Sequence, residues 1–152
     1  MVLGIILLDQ ATKILVARMI PLYERIPVVP SFFDLTHLRN PGAAFSMFAQ
    51  APEWFRQPFF FVVTGIAIVA LSVFLHHVKE EGLLLTIAVS GVLAGAIGNL
   101  IDRVVYGEVI DFLLFYWGMY QWPAFNVADS CITLGVIGLL WTSFRNPPAP
   151  VP

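Results

Sequence analysis

Two aspartates in this chain have the residue type and the position of a catalytic pair. Asp111 follows the turn-prone residues Gly107 and Glu108, Asp129 follows Asn126, and each aspartate borders an apolar run. A carboxylate near a bilayer is unfavourable by about 2.5–3.5 kcal/mol on insertion scales, so it is retained where it has a partner or a task. Two carboxylates that approach closely share one proton and can activate a water molecule. We therefore predict an aspartic hydrolase site at Asp111 and Asp129.

Further polar residues occur at helical spacing within the apolar stretches. Asp9 and Lys13 are four positions apart, so they lie on one helix face and can form an ion pair. A purely structural ion pair and a role beside an acidic site are both open for them. Asn99 and Arg103 have the same spacing and share a face, whereas Asp102 must point in another direction.

Two shorter patterns complete the candidate site. Asn126 and Asp129 are three positions apart and can face one way, although an aspartate at a helix start is often only a cap. Asn40-Pro41-Gly42 is a turn, in which glycine permits a backbone shape closed to other residues and asparagine offers an amide. On its own this turn indicates a loop and nothing more.

The composition indicates a membrane protein that brings these residues together. The 152 residues are 59% hydrophobic and 12% charged, whereas a soluble domain has roughly 45–50% apolar and 25% charged residues. Apolar segments cover about residues 1–20, 58–77, 83–105 and 124–144, each near the ~20 residues that a spanning helix needs. Their runs are continuous, which favours helices over barrel strands. We predict one α-helical membrane domain over residues 1–152 with four transmembrane helices, the first not cleaved as a signal.

The two long connections, 21–57 and 106–123, are predicted to lie on the same side of the membrane. Arg25–Val29, Ser31–Leu38 and Phe112–Trp117 have the aromatic and β-branched content of short strands. Tryptophan and tyrosine residues in these connections suit the membrane interface. They are Trp54, Tyr116, Trp117, Tyr120 and Trp122. The distribution of lysine and arginine does not decide the orientation.

Other functional classes have less support in the sequence. His37, His76 and His77 form no metal-ligand pattern, the single cysteine, Cys131, excludes an internal disulfide, and no cofactor is expected. No basic patch indicates a nucleic-acid partner. A small proton-coupled carrier is the main alternative, but it predicts carboxylates near the middle of the membrane and repeat symmetry. A non-catalytic membrane scaffold is the third reading, and it predicts that Asp111 and Asp129 are dispensable.

Five motifs in order along the chain resemble one family, the lipoprotein signal peptidases (signal peptidase II). The motifs are Asp9-Gln10-Ala11-Thr12-Lys13, Asn40-Pro41-Gly42-Ala43-Ala44-Phe45, Gly98-Asn99-Leu100-Ile101-Asp102-Arg103, Val109-Ile110-Asp111-Phe112 and Phe125-Asn126-Val127-Ala128-Asp129. The resemblance implies that Asp111 and Asp129 are catalytic. It implies supporting or substrate-binding roles for Asp9, Lys13, Asn40, Gly42, Asn99, Arg103 and Asn126, and a structural role for Asp102.

The same resemblance implies an aspartic endopeptidase of the bacterial inner membrane. Its substrates would be diacylglyceryl-modified prolipoproteins, cut just before the lipidated cysteine. It also implies four transmembrane helices, a small extracytoplasmic β-rich cradle, a short interfacial helix, and an active site on the extracytoplasmic side. The partners expected are these prolipoproteins and membrane lipids. One chain holds every residue of the proposed mechanism, so we expect it to function as a monomer.

Overall fold

The computed structural model describes residues 1–42, 47–79 and 81–145. In these ranges the chain forms four long helices and four strands. The helices are α1 (Val2–Met19), α2 (Glu53–Val78), α3 (Leu83–Tyr106) and α4 (Val127–Arg145). The strands are β1 (Arg25–Val29), β2 (Phe33–Asn40), β3 (Val109–Trp117) and β4 (Tyr120–Gln121).

Helix α3 is the centre of the bundle, because α1, α2 and α4 all pack against it. Small residues allow α4 to come close, as the glycine spacing of α3 predicts. A Cβ atom added at Gly91 would lie 3.2 Å from the carbonyl oxygen of Cys131, and one added at Gly95 would lie 2.6 Å from a side-chain carbon of Ile132. The backbone of α4 therefore occupies space that larger residues on α3 would fill.

Within the described residues, three helices are long and apolar enough to cross a membrane: α2, α3 and α4. Helix α1 differs because its 18 residues include Asp9, Lys13 and Arg18. Two of these charged side chains, Asp9 and Lys13, are fully buried against the rest of the protein. Helix α1 therefore turns Asp9 and Lys13 toward the bundle, whereas Arg18 near its end is exposed.

The helix ends follow local chemistry. Ile20 has extended backbone angles after α1, as expected for the residue before Pro21. Gly107 ends α3 in the left-handed conformation with a φ of 76°, which glycine adopts without strain. This turn leads the chain straight from α3 into β3.

The strands form one antiparallel sheet in the order β1-β2-β3-β4. Leu38 of β2 lies opposite Asp111 of β3. Val16 and Ile20 of α1 form a buried apolar cluster with Ile110 and Phe112 of β3. Because these two β3 residues pack on α1, Asp111 between them points to the other face of the strand.

The predicted elements are found, with shifted boundaries. The strand predicted at Arg25–Val29 is confirmed, and those predicted at Ser31–Leu38 and Phe112–Trp117 appear as β2 and β3. Helix α2 begins at Glu53, before the predicted residue 58, and α4 begins at Val127 rather than at 124. No separate short helix occurs in the described ranges. Residues 43–46 lie outside them, so the interfacial helix stays a prediction.

Candidate active site

The carboxylate of Asp111 is held by two asparagine amides. The side chain is only 3% exposed. Its Oδ2 atom accepts a hydrogen bond from Asn40 Nδ2 at 3.0 Å, and its Oδ1 atom accepts one from Asn126 Nδ2 at 2.8 Å. Asn40 reaches this carboxylate because β2 and β3 are adjacent antiparallel strands. Two neutral donors fix the carboxylate without cancelling its charge.

Asn40 is itself fixed by the turn that follows it. The backbone N–H of Gly42 donates to Asn40 Oδ1 at 2.9 Å, which orients the amide so that Asn40 Nδ2 faces Asp111. The carbonyl of Gly42 in turn accepts a hydrogen bond from Arg103 Nη2 at 2.9 Å. Ala43, the next residue of this predicted motif, lies outside the described residues.

Asp129 lies in the first turn of α4 and is part of a reciprocal helix cap. The backbone N–H of Asp129 donates to Asn126 Oδ1 at 2.9 Å, and the backbone N–H of Asn126 approaches Asp129 Oδ2 at 3.3 Å. This is the arrangement of a capping box, in which a cap residue and the third helical residue satisfy each other. Asp129 Oδ1 also accepts a hydrogen bond from Asn99 Nδ2 at 2.7 Å.

Asn126 links the two aspartates directly. Its oxygen caps the backbone N–H of Asp129, while its amide nitrogen contacts Asp111 Oδ1 at 2.8 Å and the carbonyl oxygen of Ile110 at 3.1 Å. The side chain is fully buried. One amide therefore fixes the start of α4 relative to β3, and with it the position of one aspartate relative to the other.

A buried ion cluster lies behind the two aspartates. Lys13 Nζ is 2.9 Å from Asp9 Oδ2, 2.9 Å from Asp102 Oδ2 and 3.0 Å from Asn99 Oδ1. An ammonium group has three N–H donors, so each of them has an acceptor. Lys13 is 1% exposed, and Asp9 and Asp102 are 0% exposed. The ion pair predicted between Asp9 and Lys13 is confirmed, and the carboxylate of Asp102 binds the same ammonium group.

The ion cluster also fixes the backbone around the site. Asp9 Oδ1 accepts the N–H of Ala128 at 2.9 Å at the start of α4, and Asp102 Oδ2 accepts the N–H of Ile110 at 3.1 Å. Gln10 Nε2 lies 3.1 Å from Asp9 Oδ2 and 3.0 Å from Asp102 Oδ1. The residues before Asp111 and Asp129 are thus both hydrogen-bonded to this cluster.

Arg103 contacts two backbone carbonyls and one aromatic ring near the aspartates. Besides its contact with Gly42, its Nη1 atom donates to the carbonyl oxygen of Asn99 at 3.3 Å. Its guanidinium carbon is 4.7 Å from the centre of the Phe60 ring. The predicted shared face of Asn99 and Arg103 is confirmed, and Asp102 points away from it toward Lys13.

A cavity of about 830 Å³ opens over the aspartates. Six of the predicted site residues line it: Asn40, Gly42, Asn99, Arg103, Asp111 and Asp129. The other three, Asp9, Lys13 and Asn126, are buried beneath. Its remaining lining is largely apolar and includes Ile132 and Leu134 of α4 and Phe125. A hydrophobic chain with a polar centre fits such a lining.

The surroundings of Asp111 favour its protonated form. Burial raises the pKa of the Asp111 carboxyl from 3.8 to about 7, and the nearby charge of Asp129 adds to the rise. The hydrogen bonds from Asn40 and Asn126 act in the opposite direction but do not offset burial. A carboxyl group with a pKa near 7 can exchange a proton at neutral pH, as acid catalysis requires.

Two residues that contribute to the site had a weak signal or none in the sequence. Gln10 is a polar residue next to Asp9 in an apolar helix, and that position is a usable signal. Phe60 had none, because it is one of 13 phenylalanines and adjoins Phe59 and Phe61. Only the fold shows that its ring lies against Arg103.

Comparison with known proteins gives a consistent result. The family model for signal peptidase (SPase) II matches residues 1–145. A curated lipoprotein signal peptidase of Syntrophotalea carbinolica is 50% identical over 142 residues, which cover 93% of this chain and 87% of the relative. That of Geobacter metallireducens is 50% identical over 141 residues, which cover 93% of this chain and 86% of the relative.

Two solved structures share the fold, and each is described as a bacterial membrane enzyme. One has a TM-score of 0.81 and 34% sequence identity, and the match covers 99% of this chain and 91% of that one. The other has a TM-score of 0.83 at 34% identity, over 95% of this chain and 90% of that one.

Proposed function

The chain belongs to the signal peptidase (SPase) II family, and from this premise we propose that Asp111 and Asp129 are its catalytic pair. The chain is an aspartic endopeptidase with lipoprotein signal peptidase activity. It removes the signal peptide from prolipoproteins that carry diacylglycerol on a cysteine, and it cuts just before that cysteine.

One observation carries the assignment of the pair. Asp111 and Asp129 line the same cavity, Asn126 connects them, and each is held by amide groups. Among the described residues, neither aspartate forms a salt bridge. Carboxylates that are fixed in place, open to a cavity and not neutralised by a cation can take and give protons.

The proposed reaction divides acid and base work between the two aspartates. Asp129 takes a proton from a water molecule, whose oxygen attacks the carbonyl carbon of the scissile peptide bond. Asp111, whose pKa is raised to about 7, donates its proton to the carbonyl oxygen. On collapse of the tetrahedral intermediate the C–N bond breaks, Asp129 gives the proton that it took from water to the leaving amine, and Asp111 takes back its proton from the hydroxyl that becomes the carbonyl of the product.

The proposed setting is the extracytoplasmic face of the bacterial inner membrane. Helices α2, α3 and α4 supply three spans, and α1 is the proposed fourth, with Asp9 and Lys13 turned inward. Trp54 at the start of α2, Trp117 at the end of β3 and Tyr120 of β4 are exposed, as side chains at a membrane interface are. The sheet acts as a cradle above the lipid, and the signal peptide and the acyl chains enter the apolar part of the cavity from the membrane.

A gel-shift cleavage assay on purified protein in detergent tests the proposal. The substrate is a prolipoprotein with or without its diacylglycerol, and the variants are Asp111→Asn and Asp129→Asn. We expect cleavage of the lipidated form only, and its loss in both variants. Asp34→Asn is the matched control, because Asp34 is a buried carboxylate of the same sheet that contacts Tyr116 instead of the cavity.

Two outcomes would contradict the proposal. Full activity in both dyad variants would remove Asp111 and Asp129 from the chemistry and favour a scaffold role for them. Absence of cleavage by folded wild-type protein, together with proton flux when the protein is reconstituted in vesicles, would favour the carrier.

A further inference from the structure

Helix α2 contributes one buried aromatic ring to the surroundings of the site. Phe60 is 8% exposed, and in the described part of α2 the only other buried residue is Val78 at the far end. The ring centre of Phe60 lies 4.7 Å from the guanidinium carbon of Arg103. Phe60 is not among the residues that line the cavity, whereas its ring is in contact with Arg103.

The position of Arg103 depends on this ring. Among the described residues no carboxylate forms a salt bridge with Arg103. It donates hydrogen bonds to two backbone carbonyls, those of Asn99 and Gly42. A ring face attracts a cation, most strongly where water is excluded. Phe60 thus supplies the third contact that fixes the plane of the guanidinium group.

A continuous set of contacts leads from this ring to a catalytic carboxylate. Arg103 Nη2 donates to the carbonyl of Gly42 at 2.9 Å, and the N–H of Gly42 donates to Asn40 Oδ1 at 2.9 Å. Asn40 Nδ2 then donates to Asp111 Oδ2 at 3.0 Å. A displaced guanidinium would release the turn at Gly42 and let Asn40 move away from Asp111.

We propose that Phe60 is a positioning residue of the active site, acting through a cation–π contact with Arg103 that holds the Asn40–Gly42 turn against Asp111. The inference rests on the proposed function. It assigns to the ring a role in the reaction rate and not in substrate binding, since the ring lies outside the cavity.

The first test compares two equal substitutions at neighbouring positions. Phe60→Leu keeps an apolar side chain but removes the π face, and we expect kcat to fall roughly 2- to 30-fold, the range that corresponds to the usual strength of a cation–π contact. KM should change less than kcat, because the substitution removes no side chain that lines the cavity. Phe61→Leu is the control, since Phe61 lines a shallow groove of α2 away from the site. An equal fall in kcat for Phe61→Leu would overturn the proposal.

The second test isolates the contact from packing. In an Arg103→Gln background, which is expected to be slow but measurable, Phe60→Leu should cause little further loss of kcat, because the cation is already absent. A purely structural role for Phe60 predicts the same fold-loss in both backgrounds, and that result would overturn the proposal.

A third measurement tests the contact even if the Phe60→Leu variant does not fold. Phenylalanines with one, two or three ring fluorines at position 60 keep the shape of the ring and weaken its negative face stepwise. The logarithm of kcat should fall with each added fluorine, whereas a constant kcat would overturn the proposal. Asp111→Asn, assayed in parallel, keeps a failure of the proposed function distinguishable: activity in that variant contradicts the dyad, whatever Phe60 does.

Discussion

The molecule contains two pairs of aspartates, a lower group and an upper group, whose surroundings are opposite in character. In the lower group, Asp9 and Asp102 share the ammonium group of Lys13 and are fully buried. In the upper group, Asp111 and Asp129 are held by amides and line a cavity. The same residue type forms a salt bridge with a cation in one place and, among the described residues, forms none in the other.

The difference shows how a membrane protein separates structure from chemistry. A buried ion pair with all its hydrogen bonds made is rigid and has little tendency to exchange protons. Amide donors fix the geometry of a carboxylate but do not cancel its charge, so its proton affinity stays available for use. The lower group fixes the backbone at Ala128 and Ile110, directly before the reactive residues of the upper group.

The largest expected effect comes from replacing a carboxylate of the upper group. We expect Asp129→Asn to lower kcat by about 10³-fold or more, which is within the range for loss of a general base. The folded state should persist, because an asparagine side chain can still accept from Asn99. Cleavage kinetics together with the thermal midpoint in detergent measure both effects. A large drop in the midpoint would show that Asp129 is as structural as Asp9.

Replacing the cation of the lower group should mainly lower stability, whereas replacing Asp129 should mainly lower kcat. Lys13→Met leaves two buried carboxylates without their cation, and removal of one side of a buried pair destabilises by about 3–5 kcal/mol. We expect the free energy of unfolding to fall by that order, and activity to fall only as the folded fraction does. Lys79→Met, at an exposed lysine after α2, is the matched control and should change stability little.

Much of the upper and lower groups could be predicted from sequence because their spacing is local. The four-residue spacing of Asp9 and Lys13 gave the ion pair, and the three-residue spacing of Asn126 and Asp129 gave a shared face. The contact of Lys13 with Asp102 could not be predicted from any spacing, since residues on two different helices meet only through packing.

In the fold, too, local sequence patterns could be predicted, whereas contacts between distant residues could not. The continuous apolar runs and the β-branched stretches gave the helices and three of the strands. The start of α2 was placed too late because the charged and polar residues from Glu53 to Gln57 resemble a loop, although they are helical. The strand β4 has only two residues, Tyr120 and Gln121, and it exists because Trp117 and Tyr116 pair with it. Pairing of that kind has no signature in so short a segment.

The pH dependence of stability sharpens the comparison at Asp111. Its pKa in the folded protein is raised to about 7 from 3.8, so the folded state binds this proton more tightly than the unfolded state does. This contribution to stability is therefore present at low pH and is lost as pH rises from about 4 to about 7. Asp111→Asn cannot titrate, so the variant should gain thermal stability relative to wild type as pH rises from about 4 to about 7. A difference in midpoint that is constant with pH would contradict the raised pKa.

The smallest predicted effect concerns the space between the lower group and α3. A Cβ atom added at Gly98 would lie 2.6 Å from Asp9 Oδ2, a distance that forces the carboxylate or the helix to shift. Overpacking of this kind destabilises by about 1–3 kcal/mol, so Gly98→Ala should lower the free energy of unfolding by that order. Gly65→Ala is the matched control, because nothing lies within 4 Å of its added Cβ and alanine favours the helix. If both substitutions were neutral, the close fit of Asp9 against α3 would not matter for stability, and the rigidity assigned to the lower group would have to come from Lys13 alone.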